Sequence, residues 1–84
     1  MKIGFIGSVA FSESVLHHLI AIGPEADAEV VAVCTLESAP FNADHVDLTP
    51  VAAAQEITVR YTPDINAPDV CAWLAEKGCD VVFC

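Results

Sequence analysis

Short apolar runs alternate along the chain with segments in which apolar residues recur every three or four positions. Four runs rich in β-branched or aromatic residues predict buried strands, at residues 2–6, 30–34, 57–62 and 79–84. Three segments between them predict amphipathic helices, at residues 9–22, 49–56 and 67–77. An alternation of strand and helix is typical of a mostly parallel sheet covered by helices on both faces.

Residues that favour helix and strand ends stand at the borders of these segments. The predicted helix caps and breaks are Ser8 and Gly23-Pro24 for the first helix, Thr49 and Pro50 for the second, and Asn66 and Gly78 for the third. Pro63 is expected to end the third strand, because proline cannot continue a central hydrogen-bonded ladder.

We therefore predict an α/β fold, a Rossmann-like doubly wound parallel sheet of four strands in the order 3-2-1-4 with three helices. Right-handed crossovers place the switch point, where ligands usually bind, between the first and fourth strands. A parallel strand presents its chemistry just past its carboxyl end, and the fourth predicted strand ends the sequence at Cys84. We expect residues 1–84 to be the amino-terminal part of a domain that is incomplete at its carboxyl terminus.

Composition fits a small folded domain. Hydrophobic residues make up 55% of the 84 residues, too many for a disordered segment, and no apolar run approaches the ~20 residues of a membrane span. The amino terminus has no signal-peptide pattern, so we expect a cytoplasmic protein. Three Lys and Arg residues against twelve Asp and Glu residues give a net charge of -9, which makes nucleic-acid binding unlikely.

The four cysteines lack the paired spacing of a structural zinc site. Cys34, Cys71, Cys79 and Cys84 lie in or beside apolar segments. We expect them to be reduced and buried.

A glycine turn after the first strand is the first candidate for chemistry. The turn Gly7-Ser8 and the acidic Glu37 after the second strand suggest a dinucleotide site, but Val9 and Ser12 stand where that fingerprint needs glycines. Backbone N–H groups of Gly7 and Ser8 at a helix amino terminus remain a candidate site for an anion or a polar ligand atom. The alternative is that Ser8 only caps its own helix.

The sequence gives weaker signals for a metal site or a catalytic nucleophile than for the Gly7-Ser8 turn. Residues 42–47, Asn-Ala-Asp-His-Val-Asp, contain possible cation ligands, but their spacing matches no specific motif and such residues are common in turns. His17 and His18 are expected on the solvent face of the first helix. No nucleophile elbow or phosphate-binding loop is present in the sequence.

Three segments resemble one family. Residues 1–8, Met-Lys-Ile-Gly-Phe-Ile-Gly-Ser, followed by Phe11 and Leu16, resemble the start of the folate-dependent formyltransferases. Residues 41–50, Phe-Asn-Ala-Asp-His-Val-Asp-Leu-Thr-Pro, are similar to the F-N-x-D-x-x-D-L-x-P segment of methionyl-tRNA formyltransferase-like proteins, and residues 80–84 are similar to their fourth strand. The resemblance spans the whole chain.

The resemblance implies transfer of a formyl group from 10-formyltetrahydrofolate to a primary amine. It implies that Gly7 and Ser8 touch the amine substrate or its phosphate, and that Cys84 reaches the rim of the folate pocket. The family's catalytic Asn-x-His pair and later Asp follow the fourth strand. No catalytic residue is therefore assigned within residues 1–84, and these residues alone are expected to be inactive.

The acceptor and the assembly state are also predicted. Methionyl-tRNA formyltransferases carry a basic loop after the second strand, whereas residues 37–50 contain no Lys or Arg, so a small-molecule amine is favoured over tRNA. An unpaired apolar fourth strand predicts a homo-oligomer or poor solubility. The alternatives are a nucleotide-binding, NAD-type oxidoreductase fragment and a non-enzymatic binding or assembly domain.

Overall fold

The structure is a computed structural model, and it describes residues 1–36, 43–62 and 67–83. Strands and helices alternate along these residues. In chain order the elements are β1 (Lys2–Ile6), α1 (Ala10–Ala26), β2 (Glu29–Thr35), α2 (Thr49–Ala54), β3 (Thr58–Tyr61), α3 (Pro68–Glu76) and β4 (Val81–Phe83).

The four strands form one sheet in the order β3-β2-β1-β4, and every neighbouring pair is parallel. This arrangement confirms the predicted α/β fold, its strand order and its three helices. All four strands therefore end at the same edge of the sheet, which is the edge where ligands bind in open α/β folds.

A bulge in β2 sets which side chains face each side of the sheet. Two successive residues of β1 pair with Val30 and Ala32, so Val31 is an extra residue. After the bulge, Val33 faces the same side as Val30, although a regular strand would place residues three apart on opposite sides.

Two apolar layers cover the sheet, one on each face. The first layer lies under α1 and α2, and its buried residues are Ile3, Phe5, Leu16, Val30, Val33, Leu48 and Ala52. The second lies under α3, and its buried residues are Ala32, Cys34, Val70 and Leu74. Helices on both faces explain why β1 and β2 are near-continuous apolar runs.

Helix α1 is longer than the sequence predicts, because it continues through Gly23-Pro24 to Ala26. A proline in the last turn removes only one backbone hydrogen bond. The helix ends where Asp27 adopts a left-handed conformation, with φ 53°, and donates its N–H to the Gly23 carbonyl. A Cβ on Gly23 would lie 2.6 Å from the Ala28 carbonyl oxygen, so this glycine permits a close chain crossing instead of ending the helix.

The other predicted helix boundaries have mixed outcomes. Thr49 is the first residue of α2 and Leu48 is its N-cap, so the prediction of Thr49 as the cap is wrong. Gly78 has a φ of 74° and follows the end of α3. Its N–H donates to the Ala75 carbonyl, and the next N–H donates to the Leu74 carbonyl, which confirms the predicted glycine cap as a Schellman motif. The N-cap of α3 is Ala67, so the prediction of Asn66 as its cap is wrong. Asn66 itself and Pro63 lie outside the described residues.

Strand β4 is an exposed edge strand, which corrects its prediction as a buried one. Val81, Val82 and Phe83 are 42%, 46% and 46% exposed. The Phe83 ring stacks on the buried Phe5 ring, with centroids 5.9 Å apart. Strand β1 therefore pairs with one edge of β4. The other edge of β4 has no strand neighbour among the described residues.

The cysteines differ in their surroundings. Cys34 is buried, Cys79 is half-buried and Cys71 is exposed, so the prediction of burial is wrong for Cys71. Burial raises the pKa of both the Cys34 and the Cys79 thiols. Within the described ranges, no helix combines the length and the apolar character that crossing a bilayer requires.

Candidate functional site

A shallow depression of about 120 Å³ lies at the carboxyl ends of three strands. Its lining residues are Ile6, Gly7, Ser8, Cys34, Thr35, Leu36 and Thr62. Both predicted substrate-binding residues, Gly7 and Ser8, are part of it. Cys84, the predicted cofactor contact, lies outside the described residues.

Gly7 lets the first turn of α1 approach the end of β1. A Cβ on Gly7 would lie 2.5 Å from the Ser12 Cβ and 2.7 Å from the Ser12 Oγ, separations that do not occur between real side chains. The Gly7 N–H donates to the Cys34 carbonyl at 3.1 Å. Gly7 therefore shapes the depression and ties β1 to β2, and its N–H already has a protein partner.

Ser8 does not cap α1. The N-cap residue is Val9, and no side chain caps the helix amino terminus. The Ser8 carbonyl accepts a hydrogen bond from the Val46 N–H at 2.7 Å, and the Ala10 N–H donates to the Asp44 carbonyl at 3.0 Å. The prediction of Ser8 as a cap is wrong, and Ser8 is a lining residue of the depression instead.

The same hydrogen bonds cover part of the helix amino terminus. Val9 pairs with His45 in an antiparallel bridge, so the chain segment around His45 lies against the start of α1. In a dinucleotide fold, the pyrophosphate occupies this position. The bridge leaves less room for an anion at the helix amino terminus, and the Ala10 N–H already donates to the Asp44 carbonyl. Both observations argue against dinucleotide binding.

The acidic segment before α2 has a structural role. His45 Nε2 donates to the Leu36 carbonyl at 2.8 Å; that nitrogen carries the proton because a carbonyl can only accept. No group of three potential metal ligands is found within the described ranges, and Asn42 lies outside them. His17 and His18 are exposed on α1, as predicted.

Asp47 joins the start of α2 to β3. Its Oδ1 accepts from the Thr49 N–H at 2.9 Å, and its Oδ2 accepts from the Tyr61 hydroxyl at 2.7 Å. The Thr49 hydroxyl donates to the Tyr61 hydroxyl at 2.9 Å. Desolvation acts to raise the pKa of Asp47, but the hydrogen bonds from Thr49 and Tyr61, with a smaller contribution from His45, outweigh it and lower the pKa.

Asp47→Ala is expected to lower the free energy of unfolding by about 1 kcal/mol, the usual net contribution of a side-chain hydrogen bond, because Asp47 accepts from the Thr49 N–H at the start of α2. Because the folded state lowers the pKa of Asp47, the stabilisation is present above the unfolded pKa of about 4 and is lost as the pH falls through the folded value. Urea unfolding between about pH 7 and pH 2.5 measures this.

Asp47→Asn is the matched control, because an amide oxygen can still accept from the Thr49 N–H. We expect it to keep part of the stabilisation and to lose the acid dependence that Asp47 contributes. Equal acid dependence in the wild type and in the Asn variant would contradict the role of the charge.

The lining of the depression contains hydroxyl groups and the buried Cys34 thiol. The Thr35 Oγ1 accepts from the Leu48 N–H at 3.3 Å, and the Thr62 N–H donates to the Thr35 carbonyl at 3.0 Å. Burial raises the pKa of Cys34, although the charge of Arg60 opposes the change, so this thiol is a poor nucleophile at neutral pH. Within the described lining, side chains can bind and orient a ligand, but none carries a charge.

Thr35 and Thr62 are lining residues that were not predicted from the sequence, where the second predicted strand ended at residue 34. Thr35 is the last residue of β2, and Thr62 directly follows β3. The available signal was a polar residue at the end of each predicted parallel strand, the same signal that Ser8 gives after β1.

Comparisons with known proteins support the fold. No family model matches the chain, and no curated protein is similar to it. The structure is similar to a crystal structure of phosphoribosylglycinamide formyltransferase from Bacillus halodurans, with a TM-score of 0.64 and 18% sequence identity. The similarity covers 98% of this chain and 43% of the other.

The chain shares the α/β fold of the part of that structure which it matches, in agreement with the predicted fold class. It spans less than half the length of the similar structure. At this level of identity the likeness establishes the fold alone, so the whole formyltransferase resemblance, including its methionyl-tRNA part, stays a prediction.

Proposed function

We propose that the chain is the amino-terminal part of a formyltransferase domain that transfers a formyl group from 10-formyltetrahydrofolate to a primary amine. The observation that carries the proposal is the parallel sheet in the order β3-β2-β1-β4, similar over 98% of the chain to phosphoribosylglycinamide formyltransferase. The depression at the carboxyl edge of this sheet, with Gly7 and Ser8 in its lining, supports the same function.

The described residues form one wall of the proposed site. A pocket for a drug-sized ligand usually has a volume of about 300–1,000 Å³, and the depression of about 120 Å³ is too small to enclose a folate. Formyl transfer passes through a tetrahedral oxyanion that needs hydrogen-bonding or positive stabilisation, and the amine must lose a proton. We expect Ser8, Thr35 and Thr62 to orient the acceptor, and residues after β4 to supply the proton transfer.

A small-molecule acceptor is favoured over tRNA. The sequence between β2 and α2 has no Lys or Arg, and the net charge is -9, so the chain repels a phosphate backbone. The similar enzyme is named for a small glycinamide acceptor. We propose that the acceptor is a small primary amine, with Gly7 and Ser8 facing it and Cys84 beside the folate.

The test is a turnover assay of the protein that carries this chain in its complete reading frame. The assay supplies 10-formyltetrahydrofolate with small primary amines or with methionyl-tRNA, and follows release of tetrahydrofolate. We expect formylation of a small amine. Preference for tRNA would refute the proposed acceptor, and thermal stabilisation by NADH but not by a folate analogue would refute the formyltransferase assignment.

Ser8→Ala is expected to lower kcat/KM for the amine about tenfold, the effect of losing one hydrogen bond of about 1.4 kcal/mol. The control is Ser14→Ala, because Ser14 is an exposed serine on α1 and should leave kcat/KM unchanged. Equal kcat/KM for the Ser8 variant and the wild type would remove Ser8 from the site.

A further inference from the structure

A second depression lies at the amino end of the sheet, opposite the proposed catalytic edge. It is an open groove of about 470 Å³ between the carboxyl ends of α1 and α2. Its lining includes Leu19 and Ile20 from α1, Val30 from β2 and Ile57 before β3. These side chains give it an apolar floor that the helices leave open.

The rim of this groove is acidic. Its charged lining residues are Glu29 and Glu56, both exposed, and neither forms an ion pair within the described part of the chain. The carboxyl ends of α1 and α2 meet here without a basic residue in either last turn. Each helix terminus therefore adds partial negative charge to that of the two carboxylates.

The chain's own Lys and Arg side chains lie elsewhere. Arg60 forms an ion pair with Asp69 and lies over the Trp73 ring, which Lys77 also faces. Lys2 and Met1 line an adjoining hollow of about 240 Å³, which shares Gly23, Pro24, Ala28 and Glu29 with the groove, so these cations lie on the Glu29 side and not at Glu56. The negative rim at Glu56 is therefore not balanced by any Lys or Arg that lines the groove.

We propose that this groove docks a segment of a partner protein that combines apolar side chains with Lys or Arg. The apolar floor would bury the partner's apolar residues, and the rim carboxylates with the two helix ends would face its cations. A second copy of this chain is disfavoured in this groove because it has only three Lys and Arg residues to face the rim carboxylates. Nucleic acids and anionic membranes are repelled by the net charge of -9. The proposal is independent of the formyltransferase assignment.

The test uses the full chain and a synthetic 14-residue helical peptide with Leu on one face and Lys on the other. Its dissociation constant is measured by fluorescence anisotropy, and its position by amide chemical-shift changes. We expect saturable binding, with the largest shifts at Gly23, Ala28 and Gln55, and weakening as salt is added. Shifts centred on Trp73 or Phe83 would overturn the proposed location.

The decisive variant is the double substitution Glu29→Gln and Glu56→Gln, which we expect to weaken peptide binding about tenfold, because each rim-exposed pair contributes modestly. The matched control is Glu13→Gln with Glu76→Gln, which changes the net charge equally, outside the groove lining. We expect this control to change the dissociation constant less than twofold. Equal weakening in both double variants would show general attraction to an acidic protein and overturn the proposal.

Two further probes test the chemistry of the occupant. A peptide of the same Leu pattern with Glu in place of Lys should not bind, and its binding would leave no role for the acidic rim. Hexylammonium should bind far more weakly than the Leu/Lys peptide. If it binds equally well, the groove is a site for small organic cations and the partner-segment proposal is wrong.

Discussion

Replacing Gly7 with alanine is expected to lower the free energy of unfolding by about 3 kcal/mol, the upper part of the usual range for overpacking a well-packed site. The added Cβ would lie 2.5 Å from the Ser12 Cβ and 3.2 Å from the Phe5 Cε1. To relieve this overlap, α1 would have to move away from the end of β1, and the move would also disturb the contacts of α1 with the core. Urea unfolding followed by circular dichroism measures the loss.

Ser12→Gly identifies the cause of that loss, because it removes both Ser12 atoms that the new Cβ would meet. Alone, it should cost about 0.5 kcal/mol in helix propensity, the difference between Ser and Gly. Combined with Gly7→Ala, it should make the double variant more stable than Gly7→Ala alone. If the double variant shows no such recovery, close packing on Ser12 is not the reason for glycine at this position.

Gly78→Ala provides a comparison for the stability loss caused by Gly7→Ala. Gly78 has a φ of 74°, but a Cβ there would meet only the Lys2 side chain at 3.8 Å. Its cost should be about 1–2 kcal/mol, from the left-handed backbone alone. Gly7→Ala should therefore be the more damaging of the two substitutions.

The strand order and the helix faces could be predicted from the sequence because they depend on local periodicity. The alternation of apolar runs with helical spacing specifies a layered α/β fold, and crossover handedness restricts the topology. Gly78 was also predictable, since a glycine after a helical stripe is a common stop signal with a local cause.

Features that depend on tertiary neighbours were not predictable in the same way. Gly23-Pro24 looked like a helix end, but Gly23 is required by the carbonyl of Ala28, which approaches only after the chain has turned. Ser8 looked like a cap, but the residues around His45 hold the start of α1 instead. Among the lining residues of the depression, Gly7 and Ser8 could be predicted from the local turn that follows β1. Thr35 and Thr62 come near them only because β1, β2 and β3 lie side by side in the sheet.

Self-association of the chain through β4 is the second large effect that we expect. Val81, Val82 and Phe83 are consecutive exposed apolar residues on an edge strand, and such an edge presents unpaired N–H and C=O groups to another strand. Sedimentation velocity of the 84-residue chain should show species larger than a monomer, increasing with concentration. A stable monomer at high concentration would contradict this expectation.

Val82→Lys should shift the chain to monomer over the same concentrations, since a lysine on an edge strand opposes pairing with another strand. Val82 is the better target, because changing Phe83 would also remove its stacking on Phe5. Phe11→Lys is the matched control: Phe11 is 78% exposed on α1, and the substitution adds the same charge to an apolar surface away from the sheet edge. Association that survives Val82→Lys but is lost in Phe11→Lys would place the interface on α1. Loss in the Val82 variant alone would identify β4 as the surface that a further strand must cover, whether from a second copy or from a longer chain.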